Sequence, residues 1–311
     1  MTASTAPKGA ELWAVVVTFR RPDVLERMLA AVSRQTRCPD HLVVVDNDAD
    51  PAVVAAAQRA GATYLDSGGN VGPAGGVALA MAHVLEHAGP DDWLLCLDDD
   101  DLPWRDDLVE ILWGFAHDQV RADPATAAVG GVGGFYRREL GIFRRPEDEE
   151  LVGAVPVDVL AGGRLPMYRC QAIGEVGTFD RRLFWGFEEG EYGLRLRQAG
   201  RSLYVNGDVL LDWRRTAGEL SRRSVKVRSA PNKAAWRRYY GVRNAVVLAK
   251  QYGKFWTPLL VAAGGIVRGV LGLARMRRPM HEVLLPLRGA LDGLFGRLGR
   301  TVDPGSNRKV A

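Results

Sequence analysis

Residues 92–101 read Asp-Trp-Leu-Leu-Cys-Leu-Asp-Asp-Asp-Asp, an apolar run that ends in four consecutive aspartates. A run that is apolar at every position, not at alternate ones, marks a strand covered on both faces. Two runs of the same kind precede it, Leu12–Thr18 (LWAVVVT) and His41–Asp46 (HLVVVD). Between them, Val24, Leu25, Met28, Leu29 and Val32 recur at helical spacing behind Pro22, which suits a first helical turn. Asp50–Ala60 reads as a helix and Ala62–Leu65 as a short third strand. Gly68–Gly76 (GGNVGPAGG) is too glycine-dense for regular structure, and Val77–Ala88 follows as an alanine-rich helix. This alternation predicts an α/β fold with a mostly parallel, doubly wound sheet. Ligands of such sheets sit at the carboxyl ends of the strands, where Thr18, Asp46 and Asp98 all fall.

The 311 residues suffice for one large α/β domain with an appendage, and 47% hydrophobic with 25% charged residues is ordinary for a globular protein. Disordered, collagen-like and polytopic membrane classes are excluded. Three scattered cysteines form neither a disulfide framework nor a CxxC zinc site, so a reducing, cytoplasmic setting is expected. The first residues, MTASTAPKGAELW, carry no apolar core of a signal peptide. Charge is split. Residues 1–212 carry 20 Lys/Arg against 33 Asp/Glu, and residues 213–311 carry 21 against 4, so −13 stands beside +17. A basic segment of this kind addresses nucleic acid, anionic lipid or a phosphorylated substrate.

Four constellations carry chemistry. Four adjacent carboxylates repel one another, and a divalent cation (Mn or Mg) neutralises them while leaving room for substrate phosphates. Asp98 and Asp100 project to the same side of an extended chain. The bland alternative is a solvated acidic turn before the next helix. Asp46-Asn47 ends the second strand, well placed for a nucleoside, although both are ordinary turn residues. Asn70-x-Gly72-x-x-Gly75-Gly76 allows close backbone approach to a ligand, but matches neither a dinucleotide fingerprint nor a Walker A loop. Glu188-Glu189 follows Leu183-Phe184-Trp185-Gly186-Phe187, and apolar neighbours make a carboxylate a stronger base. An ordinary helix start with acids in its first turn reads equally well there.

Trp236–Tyr252 reads as an amphipathic helix. Phe255–Ala274 is apolar but interrupted by Pro258, Gly264, Gly265 and Arg268, and Arg275, Arg277 and Arg278 follow. An element lying in the plane of a membrane surface fits this better than a span. His83 and His87, four apart on a helix, read as surface residues. The expected organisation is a domain over 1–215, a basic helical region over 216–302 and a disordered tail over 303–311.

The blocks VVVTFRRP (15–22), VVVDN (43–47), NVGPAGG (70–76), LDDDDLP (97–103) and GTFDRRLFWGFEEGEYGLRLRQAG (177–200) follow in that order. The combination resembles an inverting family 2 glycosyltransferase with a GT-A (Rossmann-like) fold, nearest to the actinobacterial galactofuranosyl- and rhamnosyltransferase branch. It covers residues 12–215, with an echo in RRYYGVRN (237–244). The resemblance implies a UDP- or dTDP-sugar donor and a hydroxyl acceptor on a lipid-diphosphate-linked glycan or a secondary metabolite, met on the inner membrane surface. By position, it places Thr18, Arg20, Asp46, Asn70, Gly75, Gly76, Asp98, Asp99, Gly163 and Trp185 around the donor. It makes Asp98 and Asp100 metal ligands and Glu189, beside Glu188, the catalytic base. Arg243 becomes the cation facing the departing diphosphate. Two positions depart from the family: Glu189 stands where many relatives have Asp, and Trp213 where many have a metal-binding His, with Asp212 the nearest substitute. A nucleotidyltransferase on a similar sheet is disfavoured by the lack of glycines in the FRRP turn. A nucleic-acid-binding reading of Arg214–Arg243, with Trp213, Trp236, Tyr239 and Tyr240 stacking on bases, leaves the acidic run unexplained.

Overall fold

The computed structural model describes residues 9–220, 234–276 and 280–304. The first half alternates as expected: β1 (Leu12–Thr18), α1 (Pro22–Ser33), β2 (His41–Asp46), α2 (Pro51–Arg59), β3 (Thr63–Asp66), α3 (Gly72–His87) and β4 (Trp93–Asp98). α4 (Leu108–Ala122) and β5 (Thr126–Gly130) follow. Then come β6 (Gly133–Arg137), β7 (Ile142–Arg144), β8 (Ala154–Val157), β9 (Val159–Leu160) and β10 (Met167–Arg169). The acid-rich block forms α5 (Cys170–Val176) and α6 (Glu188–Gln198), before β11 (Ser202–Asn206) and α7 (Gly207–Thr216). Three further helices are α8 (Ala235–Tyr252), α9 (Thr257–Met276) and α10 (Met280–Phe295).

The main sheet runs β3-β2-β1-β4-β10-β5-β11-β8, and β3, β2, β1 and β4 are parallel. β10 enters antiparallel between β4 and β5, and β8 closes the far edge antiparallel to β11. A small sheet, β7-β6-β9, stands beside it. The apolar runs are buried on both sides. Met81 and Val84 of α3 and Ile173 of α5 cover one face, and Met28, Val53 and Leu112 of α1, α2 and α4 the other. Thr18 lies in register with Asp46, and Val17 with Asp98. Three strand ends therefore share one rim.

The glycine-dense stretch differs from the expectation of irregular structure. α3 starts at Gly72, with Pro73 in its first turn. Gly76 lies where α3 meets β1, and a Cβ there would overlap the Val17 side chain. Gly76 serves helix–strand contact, Gly75 the close approach of Val71 and Gly72 that of Phe184.

The C-terminal helices pack onto the preceding α/β part of the chain. Gly289 and Gly293 bring α10 against α8, where added Cβ atoms would come to 2.5 Å of the Tyr239 carbonyl oxygen and 2.7 Å of that of Arg243. Tyr252 of α8 donates to Glu191 of α6 at 2.9 Å. Tyr239 and Tyr240 are fully buried, so base stacking by them is excluded. Residues 221–233 and 305–311, with part of the basic stretch and most of the tail, lie outside the described residues. Among the described residues no helix is long and apolar enough to cross a membrane.

Candidate active site

The four aspartates part company at the end of β4. Asp99 turns inward, 2% exposed, and accepts hydrogen bonds from Thr18 Oγ1 at 2.8 Å and Arg21 at 2.6 Å. Arg21 also holds Asp100 at 2.6 Å, and Arg164 pairs with Asp101. Asp98 is different. Its carboxylate opens into the cleft and has no hydrogen-bond or ion-pair partner among the described residues. Desolvation, and then the charges of Asp100, Asp101 and Asp99, push it up to about 6.

Glu188 and Glu189 open α6, immediately after a tight loop. Phe184 (φ 63°), Gly186 (φ 79°) and Phe187 (φ 73°) all adopt left-handed backbone. Phenylalanine tolerates this only where the surroundings over-determine it. Here they do. Asn244 of α8 donates to the carbonyls of Leu183, Trp185 and Gly186 at 3.0, 3.0 and 2.7 Å. Arg243 donates to those of Arg182 and Leu183 at 3.3 and 2.6 Å. Gly72 lies so close to the Phe184 carbonyl that a Cβ would overlap it. The loop presents two unlike acids. Glu188 is buried, and its Oε2 lacks a hydrogen-bond partner among the described residues. Desolvation, then the charge of Glu189, holds its carboxyl well above the usual range. Glu189 is half-buried and pushed up to about 7, by desolvation first and Asp98 second.

Gly162 and Gly163 bring the two halves together. A Cβ on Gly162 would overlap Glu189 Oε1, and one on Gly163 (φ 71°) would come to 2.7 Å of both Asp98 Oδ2 and Asp101 Oδ2. The base candidate and the unpaired carboxylate thus border one glycine floor at the carboxyl edge of the sheet. We expect Gly162→Ala to displace Glu189 and lower turnover about 100-fold, since small misplacements of a reacting group cost that much. Steady-state kinetics on a variant of unchanged melting temperature reads this out; wild-type turnover would show that the contact is dispensable.

A carboxyl held above its unfolded pKa of about 4.3 keeps its proton more readily in the folded chain. The stability it confers is complete below that pH and is lost as pH rises through the folded value. Melting temperatures recorded with chelator should therefore fall between about pH 4.5 and 7 on account of Glu189. Glu189→Gln should flatten that part of the curve.

Other expected site residues are placed elsewhere. Asp46 is fully enclosed: Oδ1 accepts from the Asp48 amide at 2.9 Å, and Oδ2 from the Asp50 amide at 2.8 Å and Tyr64 at 3.2 Å. It orders the turn after β2 and offers no open face to a base or ribose. Thr18 braces Asp99, and neither is open to the cleft. Gly75 and Gly76 lie inside α3. Asn70 caps the Gly72 amide at 3.0 Å, and Arg20 pairs with Asp48 at 2.7 Å on the surface. Trp185 is half-buried and meets Trp236 edge-on.

Arg243 corrects a sequence expectation. All five of its N–H donors are consumed by Asn244, Gly299, Thr301, Arg182 and Leu183, so the fully buried guanidinium clamps the loop and does not face a diphosphate. Asp212 likewise accepts from Trp104 at 3.2 Å and Arg105 at 3.3 Å, a surface pair outside the acidic run. Sequence reasoning missed Arg21, Arg164 and Asn244. Arg21 carried a signal, because it stands in the FRRP turn opposite the four aspartates. Arg164 stacks on Trp213 at 4.9 Å, so a cation lies over the residue that stands where a metal-binding His was expected.

A divalent ion fits this cleft in one form. Among the described residues, the group of three His/Cys/Asp/Glu with ligand atoms within 4.8 Å of one another is His83, Glu86 and His87 on α3, not the acidic run. The run contributes a free Asp98 and a singly paired Asp100. One or two carboxylates, completed by substrate phosphates and water, are what Mg²⁺-like ions accept.

Residues 13–176 match the profile of glycosyl transferase family 2. The chain is 35% identical over 199 residues to galactofuranosyltransferase GlfT1 of Mycolicibacterium smegmatis, covering 60% of this chain and 65% of that protein. It therefore spans about 65% of the length of this relative. It is 30% identical over 223 residues to the N-acetylglucosaminyl-diphospho-decaprenol L-rhamnosyltransferase of Mycobacterium tuberculosis, covering 61% and 72%. Among solved structures, the mannosyltransferase PcManGT from Pyrobaculum calidifontis, in complex with GDP-Man and Mn²⁺, aligns with a TM-score of 0.53 over 92% of this chain and 88% of that one, at 15% identity. GalNAc-T7 with UDP, GalNAc and Mn²⁺ aligns at 0.55 over 92% and 54%, at 12% identity. These two likenesses establish the GT-A-type fold alone. With the family profile spanning more than half of its length, the chain belongs to glycosyl transferase family 2.

Proposed function

We propose that the protein is an inverting glycosyltransferase that moves a galactofuranose- or rhamnose-type sugar from a UDP- or dTDP-sugar to a hydroxyl of a lipid-diphosphate-linked acceptor. The observation that carries this reading is the unpaired Asp98 carboxylate bordering the same glycine floor as Glu189. A nearly neutral pKa suits Glu189 to take a proton from a hydroxyl and to give it up again. In the transfer step, Glu189 accepts the acceptor's hydroxyl proton. The freed oxygen forms a bond to the anomeric carbon from the face opposite the diphosphate. The anomeric carbon–oxygen bond breaks, and its electron pair leaves with the nucleoside diphosphate.

Asp98 and Asp100 would hold the divalent cation, which supplies neutralisation of the diphosphate charge when bound. Arg21 and Arg164 keep Asp99–Asp101 folded against their own repulsion. Desolvation and the charge of Glu189 favour the protonated form of Glu188, which eases the repulsion on the base. Two supports come from the relatives named above: one is a galactofuranosyltransferase, and the other acts on a diphospho-decaprenol.

A thermal-shift panel of UDP, dTDP and GDP, each with Mn²⁺ or with chelator, tests the reading. Stabilisation by UDP or dTDP that needs the ion is expected. Stabilisation by GDP alone, or by no nucleotide, would overturn it.

A further inference from the structure

α9 is mostly apolar, yet its outer side has no cover among the described residues. Its inner side, with Val261, Ala262 and Gly265, packs on α8, where a Gly265 Cβ would come to 2.6 Å of Val242. Its outer side exposes Leu259 (65%), Leu260, Val267 and Val270, and Phe255 (90%) and Trp256 precede it. These positions repeat at helical spacing and form one stripe. α10 adds a second stripe through Leu284, Leu291 and Phe295. Scattered exposed leucines need no explanation, but apolar stripes on two helices that pack against each other mark an interaction surface.

Charge selects the partner. Residues 254–302 carry eight Lys/Arg against two Asp/Glu. Of the two acids, Asp292 is buried, accepts from Tyr239 at 2.7 Å and pairs with Arg288 and Arg297 at 3.4 and 3.5 Å, which leaves a net positive surface. Lys254, Arg268, Arg288 and Arg297 are exposed. A second copy of the chain would bring the same cations face to face with these. An anionic lipid surface complements them, and apolar side chains beside Lys and Arg, with Trp and Phe at one end, suit the headgroup boundary. No described helix can span, so the contact lies in the plane of the surface.

We propose that the outward faces of α9 and α10 dock this protein on an anionic bilayer. Through α8, whose Arg243 and Asn244 clamp the loop before Glu189, the docked face is joined to the proposed base. The purpose of docking rests on the lipid-linked acceptor proposed above; the docking itself does not. It is therefore measured without nucleotide or acceptor.

Flotation of the full chain with vesicles tests it. Binding to phosphatidylcholine vesicles containing phosphatidylglycerol is expected, weaker on pure phosphatidylcholine and weakened by salt. The double variant Leu260→Glu, Val267→Glu should lose about tenfold or more of its partitioning at an unchanged melting temperature. A lack of binding, or equal binding by the double variant, would overturn the proposal. So would a wild-type dimer in sedimentation equilibrium that the double variant dissolves. Failure here leaves the nucleotide panel to judge the transferase reading separately.

Discussion

Glu189→Gln is expected to retain ion-dependent nucleotide binding and to lose transfer by about two to four orders of magnitude, the range a positioned general base contributes. Glutamine keeps the size of the side chain above Gly162 but cannot take a proton. The acid is half-buried and raised to about 7, so the activity of the wild type should climb through neutral pH as Glu189 ionises. The neighbouring Glu188 cannot stand in, because it is buried and burial favours its protonated form. Initial rates with saturating donor, read beside the thermal shift with nucleotide, separate binding from chemistry. Transfer by the Gln variant at near wild-type rate would remove Glu189 from the reaction.

Asp98→Asn carries the second large effect. It removes the one carboxylate of the run that has no partner among the described residues, and with it the charge that draws a cation into the cleft. Loss of one pre-placed electrostatic group at a site of developing charge costs about two to three orders of magnitude in rate. The ion requirement of nucleotide binding should weaken as well. Without ion or nucleotide the variant should be no less stable than the wild type, because a like charge facing Glu189 and the other aspartates is gone. Asp99→Asn should behave differently. It disturbs a buried pair with Thr18 and Arg21 and so lowers the melting temperature.

The sequence made the sheet legible because β1, β2 and β4 are apolar at every position and end in polar residues that a parallel rim exposes. The acidic run and the Glu188-Glu189 pair were legible for the same reason: charge set directly against apolar chain is locally visible. What local pattern conceals is the choice of partner. The spacing of four aspartates does not say that Arg21 and Arg164 take three of them and leave Asp98 free. Arg243 looked like a cation for a diphosphate because it is a charge in a family-like motif. Its role as a clamp depends on carbonyls more than fifty residues away, at Arg182, Leu183 and Gly299. The antiparallel β10 was missed because it is three residues long and follows a glycine-rich stretch of short strands. Gly75 and Gly76 suggested close backbone approach to a donor, whereas Gly76 is small where α3 meets Val17 of β1 and Gly75 where α3 folds back on Val71.

The account depends on a cation and a diphosphate meeting at Asp98, with Glu189 beside them. Crystals soaked with UDP and Mn²⁺ examine this directly. The expected density places an ion at about 2.0–2.6 Å from an Asp98 oxygen, with the diphosphate over Gly162–Gly163 and an open space for an acceptor hydroxyl at Glu189. Nucleotide bound away from this rim, or an ion held by His83, Glu86 and His87 while Asp98 stays bare, would contradict it.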